Sequence, residues 1–164
     1  MLDPDFKAHF DHMKAAGVPG IGHGTPEQER ALMRQGNRVV DGEGPPDVET
    51  RDLMVDGARG KIGARLFTPP GAAGVGPGVV HFHGGGFVIG DVDTYDAFCR
   101  RAAKASGMKI LSVDYGLCPE VPFPGAHLDC AAAAHWAFDN ARALGVDPGR
   151  VGVMGDSAGG NLSA

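Results

Sequence analysis

The sequence predicts an α/β fold, with a sheet that is parallel after its first strands, flanked by helices and preceded by a helical segment. Three observations carry this. Val48–Val55 and Lys61–Thr68 read as two strands joined by D-G-A-R-G, a Gly-containing hairpin loop. From Gly78 onward, short apolar runs alternate with helical stretches, the order that builds a parallel sheet. Before about residue 45 the apolar period is helical.

Each element has its own signal. Asp3 caps a first helix with Pro4 at its first position. Phe6, Phe10 and Met13 form one apolar stripe on it, and Gly17 ends it. Thr25-Pro26-Glu27-Gln28 has the spacing of a capping box and opens a second helix through about Gln35. D-G-E-G-P-P-D, residues 41–47, is a linker or turn. This divides the chain into a helical segment, 1–45, and a sheet-forming part, 46–164. The first segment reads equally as a pair of packing helices and as a lid over a site. In the second part a strand at 78–83 leads to a helix over about 94–106. A strand at 109–115 leads to an Ala-rich helix over about 125–144, ended by Gly145. The strand R-V-G-V-M-G, 150–155, runs into another helix start.

Composition narrows the function. The formal charge is −5 and no dense Lys/Arg patch occurs, which argues against a nucleic-acid partner. No apolar run approaches the length of a membrane span. The N-terminus has an early Asp-Pro and no apolar signal core. Cys99, Cys118 and Cys130 are odd in number and lack C-x-x-C spacing, so they read as reduced thiols packed as small hydrophobes. A cytoplasmic location is expected. No histidine spacing marks a metal site, and neither a dinucleotide G-x-G-x-x-G nor a P-loop occurs.

Two motifs point to chemistry. Gly155-Asp156-Ser157-Ala158-Gly159 is a G-x-S-x-G placed where an apolar strand turns into a helix. A nucleophile elbow needs this arrangement, with small residues two positions either side of a serine in a strained turn. The competing reading is an ordinary helix start with Ser157 as its N-cap. His83-Gly84-Gly85-Gly86-Phe87 follows the strand V-V-H-F. Its glycines let the backbone pass close to a substrate and aim N–H groups inward, a source of oxyanion-hole donors. The competing reading is a flexible turn. His83 reads as a brace for the loop rather than as a base.

A third stretch, D-Y-G-L-C-P-E-V-P-F-P-G at 114–125, completes a pattern. H-G-G-G-F, then D-Y-x-L-x-P-E-x-P-F-P, then G-D-S-A-G-G-N, in that order, resembles the hormone-sensitive-lipase-like carboxylesterases of the α/β-hydrolase superfamily. The resemblance covers about 47–164. It implies an α/β-hydrolase fold, a mostly parallel sheet flanked by helices, with an N-terminal helical cap. It implies hydrolysis of short- to medium-chain acyl esters through an acyl-serine, without metal or cofactor. It implies Ser157 as catalytic nucleophile and an oxyanion hole at Gly84, Gly85, Gly86 and Ala158. The N–H groups of Gly85, Gly86 and Ala158 are the expected donors, and Gly84 shapes the turn. His83 and Asp156 support the loop. Val88 and Tyr95 are candidates for the pocket wall or for ordinary packing.

Two departures from that pattern matter. Gly116 and Cys118 stand where the family usually has Arg and Ala, which places local stability in question. No acid or base follows Ser157, whereas the superfamily orders its triad Ser, Asp/Glu, His. The triad acid and base are therefore expected beyond residue 164, in a remaining C-terminal segment of the same protein. His127 and His135 on the Ala-rich helix read as surface or packed residues, His81 and His83 are expected to face opposite ways along the strand, and His9 and His12 lie in the helical segment. The glycosylation triplet Asn161-Leu162-Ser163 sits on the nucleophile helix and is discounted. The expected partner is a small-molecule ester, and a homodimer is left open. The alternative is a receptor-like, non-catalytic ligand binder of the same fold.

Overall fold

Two strands, β1 (Glu49–Gly57) and β2 (Gly60–Thr68), pair antiparallel in a hairpin that closes with Gly57 opposite Gly60. The computed structural model describes residues 3–17 and 22–164, and the side chains of residues 9 and 37–40, His9 among them, fall outside that description. The remaining elements are α1 (Pro4–Ala15), α2 (Pro26–Asp41), β3 (Gly76–Phe82), α3 (Asp96–Ser106), β4 (Lys109–Val113), α4 (Gly125–Asp139), β5 (Val146–Gly155) and α5 (Ala158–Ser163).

The five strands form one mixed sheet in the order β1-β2-β4-β3-β5. β2 meets β4 antiparallel, and β3 runs parallel to both β4 and β5. The parallel half is therefore the part that follows the hairpin, as the alternating pattern requires. Chain order and strand order disagree at β3. The chain leaves β3 through α3 to reach β4 on one side, then returns through α4 to β5 on the other. Open α/β sheets take their ligands at such a switch point, outside the carboxyl ends of the strands. The ends of β3 and β5 meet there, with Phe82 opposite Gly155.

Alternation along β3 assigns the two faces. Val80 and Phe82 join the core under α4 with Leu66, Leu111, Val113, Cys130, Ala133 and Ala137. Val79 faces the other core, built on Phe67, Cys99, Ala103 and Ile110 under α3, and His81 on the same face contacts Cys99. β4 is buried at every position, as expected of a strand covered on both faces. Its first residue, Lys109, is 5% exposed, and its ammonium donates to the carbonyls of Gly74 (2.7 Å) and Gly145 (2.8 Å), tying together the ends of the sheet opposite the switch point.

Several boundaries differ from the sequence expectation. α4 stops at Asp139, five residues before Leu144. Asn140 ends it by folding its side-chain amide back onto the Trp136 carbonyl (2.8 Å). Ala141 and Leu144 remain buried in the same core, so the apolar period outlasts the helix. α2 runs on to Asp41 beyond Gln35, from the expected capping box of Thr25 and Gln28. β5 starts at Val146, with a register shift between Gly76 and Gly78. α3 starts at Asp96 because Thr94 is held in a turn, its amide and hydroxyl both donating to the Asp91 carboxylate.

α1 begins as expected, with Asp3 accepting from the Asp5 amide (2.9 Å). Its apolar stripe lies outward, with Phe6 and Phe10 more than half exposed. Cys99 and Cys130 are buried, Cys118 is half-buried, and all three are free thiols. No helix of the described residues is long and apolar enough to cross a membrane.

Candidate active site

Ser157 lies between the end of β5 and the start of α5 with φ 49° and ψ −117°. An L-residue at positive φ is strained, at on the order of 1–3 kcal/mol, and persists only where its surroundings enforce it. Gly155 and Gly159 supply that enforcement. A Cβ at either would collide with the Phe82 carbonyl at the end of β3, and at Gly159 with the His83 carbonyl as well. The turn is thus packed directly against the neighbouring strand's backbone. Ser157 is exposed and sits at the N-cap position of α5, yet its hydroxyl makes no cap hydrogen bond. The helix-cap reading of Ser157 therefore does not describe its side chain. Ala158 is buried and opens α5, so its N–H is one of the groups a helix start leaves without an intrahelical acceptor.

The 83–87 loop crosses the same crevice. Gly84, buried, donates its amide to Asp156 Oδ1 (3.1 Å) and to the Tyr95 hydroxyl (3.1 Å). Tyr95 in turn donates to Asp156 Oδ2 (3.0 Å). Asp156 is thereby the joint between the serine turn and the glycine loop. Gly85 and Gly86 have φ of 124° and 60°, and Phe87 also sits at positive φ, 65°. Among the described residues, the amides of Gly85 and Gly86 meet no hydrogen-bond acceptor, and Gly86 is exposed. The N–H of Gly84 is committed internally, whereas those of Gly85 and Gly86 are available.

His83 is fully buried. Its Nδ1 lies 2.8 Å from the Gly84 carbonyl and its ring stacks on Tyr115 at 4.3 Å. The Tyr115 hydroxyl donates to the His83 carbonyl (2.6 Å). Burial pushes the imidazole below its usual range. His81 lies two residues before His83 and on the same side of the strand, not on the opposite one as expected, because side chains alternate with a period of two; both rings meet Tyr95, and His81 also packs against Phe98, with Nδ1 3.0 Å from the Ser112 hydroxyl. Burial, and secondarily His83, pushes it down to about 4. His127 is half-buried, its Nε2 3.2 Å from Asn161 Oδ1 and its ring against Phe87 and Phe123. His135 and His12 are exposed.

Three relationships have no sequence signature. Tyr95 ties the two motifs together. Arg30 of α2 reaches the Val88 carbonyl. Arg59, in the β1–β2 turn, donates to Asp129 Oδ2 (2.6 Å), and that fully buried carboxylate also accepts from the amides of Ala58 and Gly116 (3.0 Å each). A Cβ at Gly116 or Gly125 would meet the Arg59 guanidinium. The glycine at 116, where the resemblance expects arginine, makes room for an arginine arriving from elsewhere in the chain.

A separate cleft of about 870 Å³ lies between the end of α2 and the start of α3. Arg34, Arg65 and Arg100 in its wall are paired with Asp91, Asp52, Asp93 and Asp96. Its charges answer one another, and it does not include the Ser157 turn.

A family model for the alpha/beta hydrolase fold matches residues 79–164. Esterase LipI of Mycobacterium tuberculosis is 46% identical over 121 residues, which is 73% of this chain and 38% of LipI. Carboxylesterase NlhH of the same organism is 44% identical over 99% of this chain and 50% of its own length. Among solved structures, an ester hydrolase from the metagenome of Lake Arreo, complexed with a bipyridine phosphonate derivative, superposes with a TM-score of 0.91 at 36% identity, over 99% of this chain and 53% of that one. The chain spans about half the length of the curated relatives it matches. Strand order, the joined serine turn and glycine loop, and these matches agree that the chain belongs to the α/β-hydrolase family, among its hormone-sensitive-lipase-like carboxylesterases.

Proposed function

We propose that the protein carrying this chain hydrolyses small carboxylic esters through an acyl-enzyme on Ser157. The observation that carries the reading is the strained, exposed turn at Ser157, enforced by two glycines and leaving the hydroxyl without a cap bond. The esterase names of relatives at 37–46% identity support the reaction class.

In the first step Ser157 Oγ bonds to the ester carbonyl carbon as a base takes the hydroxyl proton. The carbonyl oxygen becomes an oxyanion, received by the N–H groups of Gly85, Gly86 and Ala158. One such donor lowers the barrier by on the order of 3–4 kcal/mol. The carbon–alkoxy bond then breaks, and the leaving alkoxide takes the proton back from the base. Water attacks the acyl-serine by the same route, releasing the carboxylic acid and restoring the serine. Gly84 shapes the loop, and His83 and Asp156 hold it.

We place the base, a His, and its orienting Asp or Glu after Ser157 in chain order, as hydrolases of this fold arrange them. The greater length of the relatives supports this, as does the state of the described histidines. His83 is buried with Nδ1 engaged, His81 is enclosed, and His127 is bonded to Asn161. Residues 1–45 are read as a cap seated on the domain that starts at 46, supported by the contacts of α2 with 88–91. The unpaired thiols support a reducing, cytoplasmic compartment.

The test is hydrolysis of aryl esters of increasing acyl length by the complete natural protein, with Ser157→Ala as control. The variant is expected to lose activity by on the order of 10⁶-fold. Undiminished activity removes Ser157 from the mechanism. If the unmutated protein neither turns over esters nor reacts with a serine-directed phosphonate, the ligand-binding reading replaces this one.

A further inference from the structure

Two arginines one helical turn apart on α2 hold the exit of the glycine loop. Arg30 Nε donates to the Val88 carbonyl (2.8 Å) and Nη2 to the Cys118 carbonyl (2.9 Å). Nη1 and Nη2 also pair with the two oxygens of Glu120, at 2.8 Å each. Arg34 pairs with Asp91 at 2.6 Å. The loop itself is closed from inside, with the amides of Val88 and Ile89 donating to the Gly85 carbonyl (3.0 Å each). On the outside, the Phe87 carbonyl accepts from the Cys118 amide (2.8 Å). Arg30 thus bridges the two segments that meet at the loop, one around 88 and one around 118.

A run of three glycines has more backbone freedom than any other sequence. A misplacement of about 1 Å in a reacting group costs on the order of 100-fold in rate. Such a loop needs ties from outside itself to keep two N–H groups aimed at one point. Arg30 has the form of such a tie. Its side chain is 19% exposed, and its planar fork reaches two main-chain carbonyls as well as a carboxylate. An exposed arginine–carboxylate pair alone contributes little; the two carbonyl contacts set this one apart.

We propose that Arg30 is a positioning residue for the oxyanion hole, transmitting the seating of α2 to the N–H groups of Gly85 and Gly86 through Val88. This rests on the reading of Gly85 and Gly86 as oxyanion donors. Arg30 touches no reacting atom, and its effect is on the stabilisation of charge rather than on ester binding.

The experiment uses the complete natural protein and a trifluoromethyl ketone matched to its best ester. Addition of Ser157 to the ketone places an oxyanion where the reaction would. Arg30→Ala is expected to weaken ketone binding and lower kcat by about 10- to 100-fold, with KM changed less than about threefold. Arg30→Lys keeps the charge but cannot reach three acceptors at once, and is expected to fall between. Glu120→Gln leaves both carbonyl contacts in place and is expected to cost less than about threefold in either measure. If Arg30→Ala fails to fold, Arg30→Lys decides. Ketone affinity and kcat unchanged in the folded arginine variants overturn the proposal while leaving the donor reading intact. An unmutated protein that turns over the ester yet binds the ketone no more tightly than that ester overturns the donor reading itself, and this proposal with it.

Discussion

Asp156 and Gly84 are 72 residues apart in the chain and are joined by a hydrogen bond of 3.1 Å from the Gly84 amide to Oδ1. The second carboxylate oxygen receives the Tyr95 hydroxyl, which also accepts from Gly84. Burial, reinforced by the Asp156 charge, pushes the Tyr95 phenol above its usual range, so it stays a neutral donor at working pH. Asp156→Asn keeps an acceptor for Gly84 and is expected to lose less than about fivefold in kcat. Asp156→Ala leaves that buried amide with the phenol alone. It is expected to cost about 1–3 kcal/mol of stability and at least about tenfold in kcat. Denaturant midpoints and ester kinetics on the three proteins check the order.

The glycines of the site do different work, and substitution separates them. Gly159 has no room for a methyl group, because the Phe82 carbonyl occupies its place. Gly159→Ala is expected to destabilise by more than about 4 kcal/mol or to prevent folding. Gly86 has open space around it and needs only its φ of 60°. Gly86→Ala is expected to fold, at a cost of about 1–2 kcal/mol. Thermal unfolding of the pair measures the contrast.

Arg59 stands in for an arginine at position 116. Removing it leaves the buried Asp129 carboxylate with two main-chain amides and no counter-charge. Because Arg59 is about half exposed, Arg59→Ala is expected to cost about 2 kcal/mol, less than the 3–5 of a wholly buried pair. Gly116→Arg alone is expected to be destabilising, since its side chain meets Arg59 and Val121. The double variant is expected to be more stable than either single one. A double-mutant cycle in urea reads that coupling.

Asp114 sets a pH dependence. Burial, with the charges of Asp91 and Asp93, pushes its carboxyl up to about 6, against the pull of the Val92 amide and Arg65. The folded chain then binds this proton more tightly than the unfolded chain, whose value lies near 3.8. Above pH 6 the ionised carboxylate lowers stability, and the loss is relieved as pH falls from about 6 toward 4. Asp114→Asn retains an acceptor for Val92 without the charge. It is expected to raise stability by about 1–2 kcal/mol at pH 8 and by little at pH 4.5. Melting curves at the two pH values measure it.

The sequence showed the site through its local motifs and hid the bonds between them. Gly155 and Gly159 flank Ser157 in the chain, so the tight turn was legible. The hairpin, the capping box at Thr25 and the strand–helix alternation were legible for the same reason: each is a pattern within a few residues. Tyr95 with Asp156, Arg30 with Val88 and Arg59 with Asp129 join positions 58–70 apart. An arginine's fork or a tyrosine's hydroxyl carries no local mark of its eventual partner. α4 was read too long because Ala141 and Leu144 keep the apolar period while Asn140 turns the backbone.

The contact of Gly155 and Gly159 with the end of β3 has a consequence for timing. The turn that carries Ser157 closes against the Phe82 carbonyl, which belongs to a strand made more than seventy residues earlier in synthesis. Until β5 docks beside β3, that contact is missing, and a serine at positive φ has less around it to sustain the strain. β5 can dock only after α4 has crossed the sheet, a non-local closure that comes late in folding. A chain still emerging from the ribosome would therefore lack the strained turn that the proposed nucleophile depends on, and would gain it only together with the finished sheet.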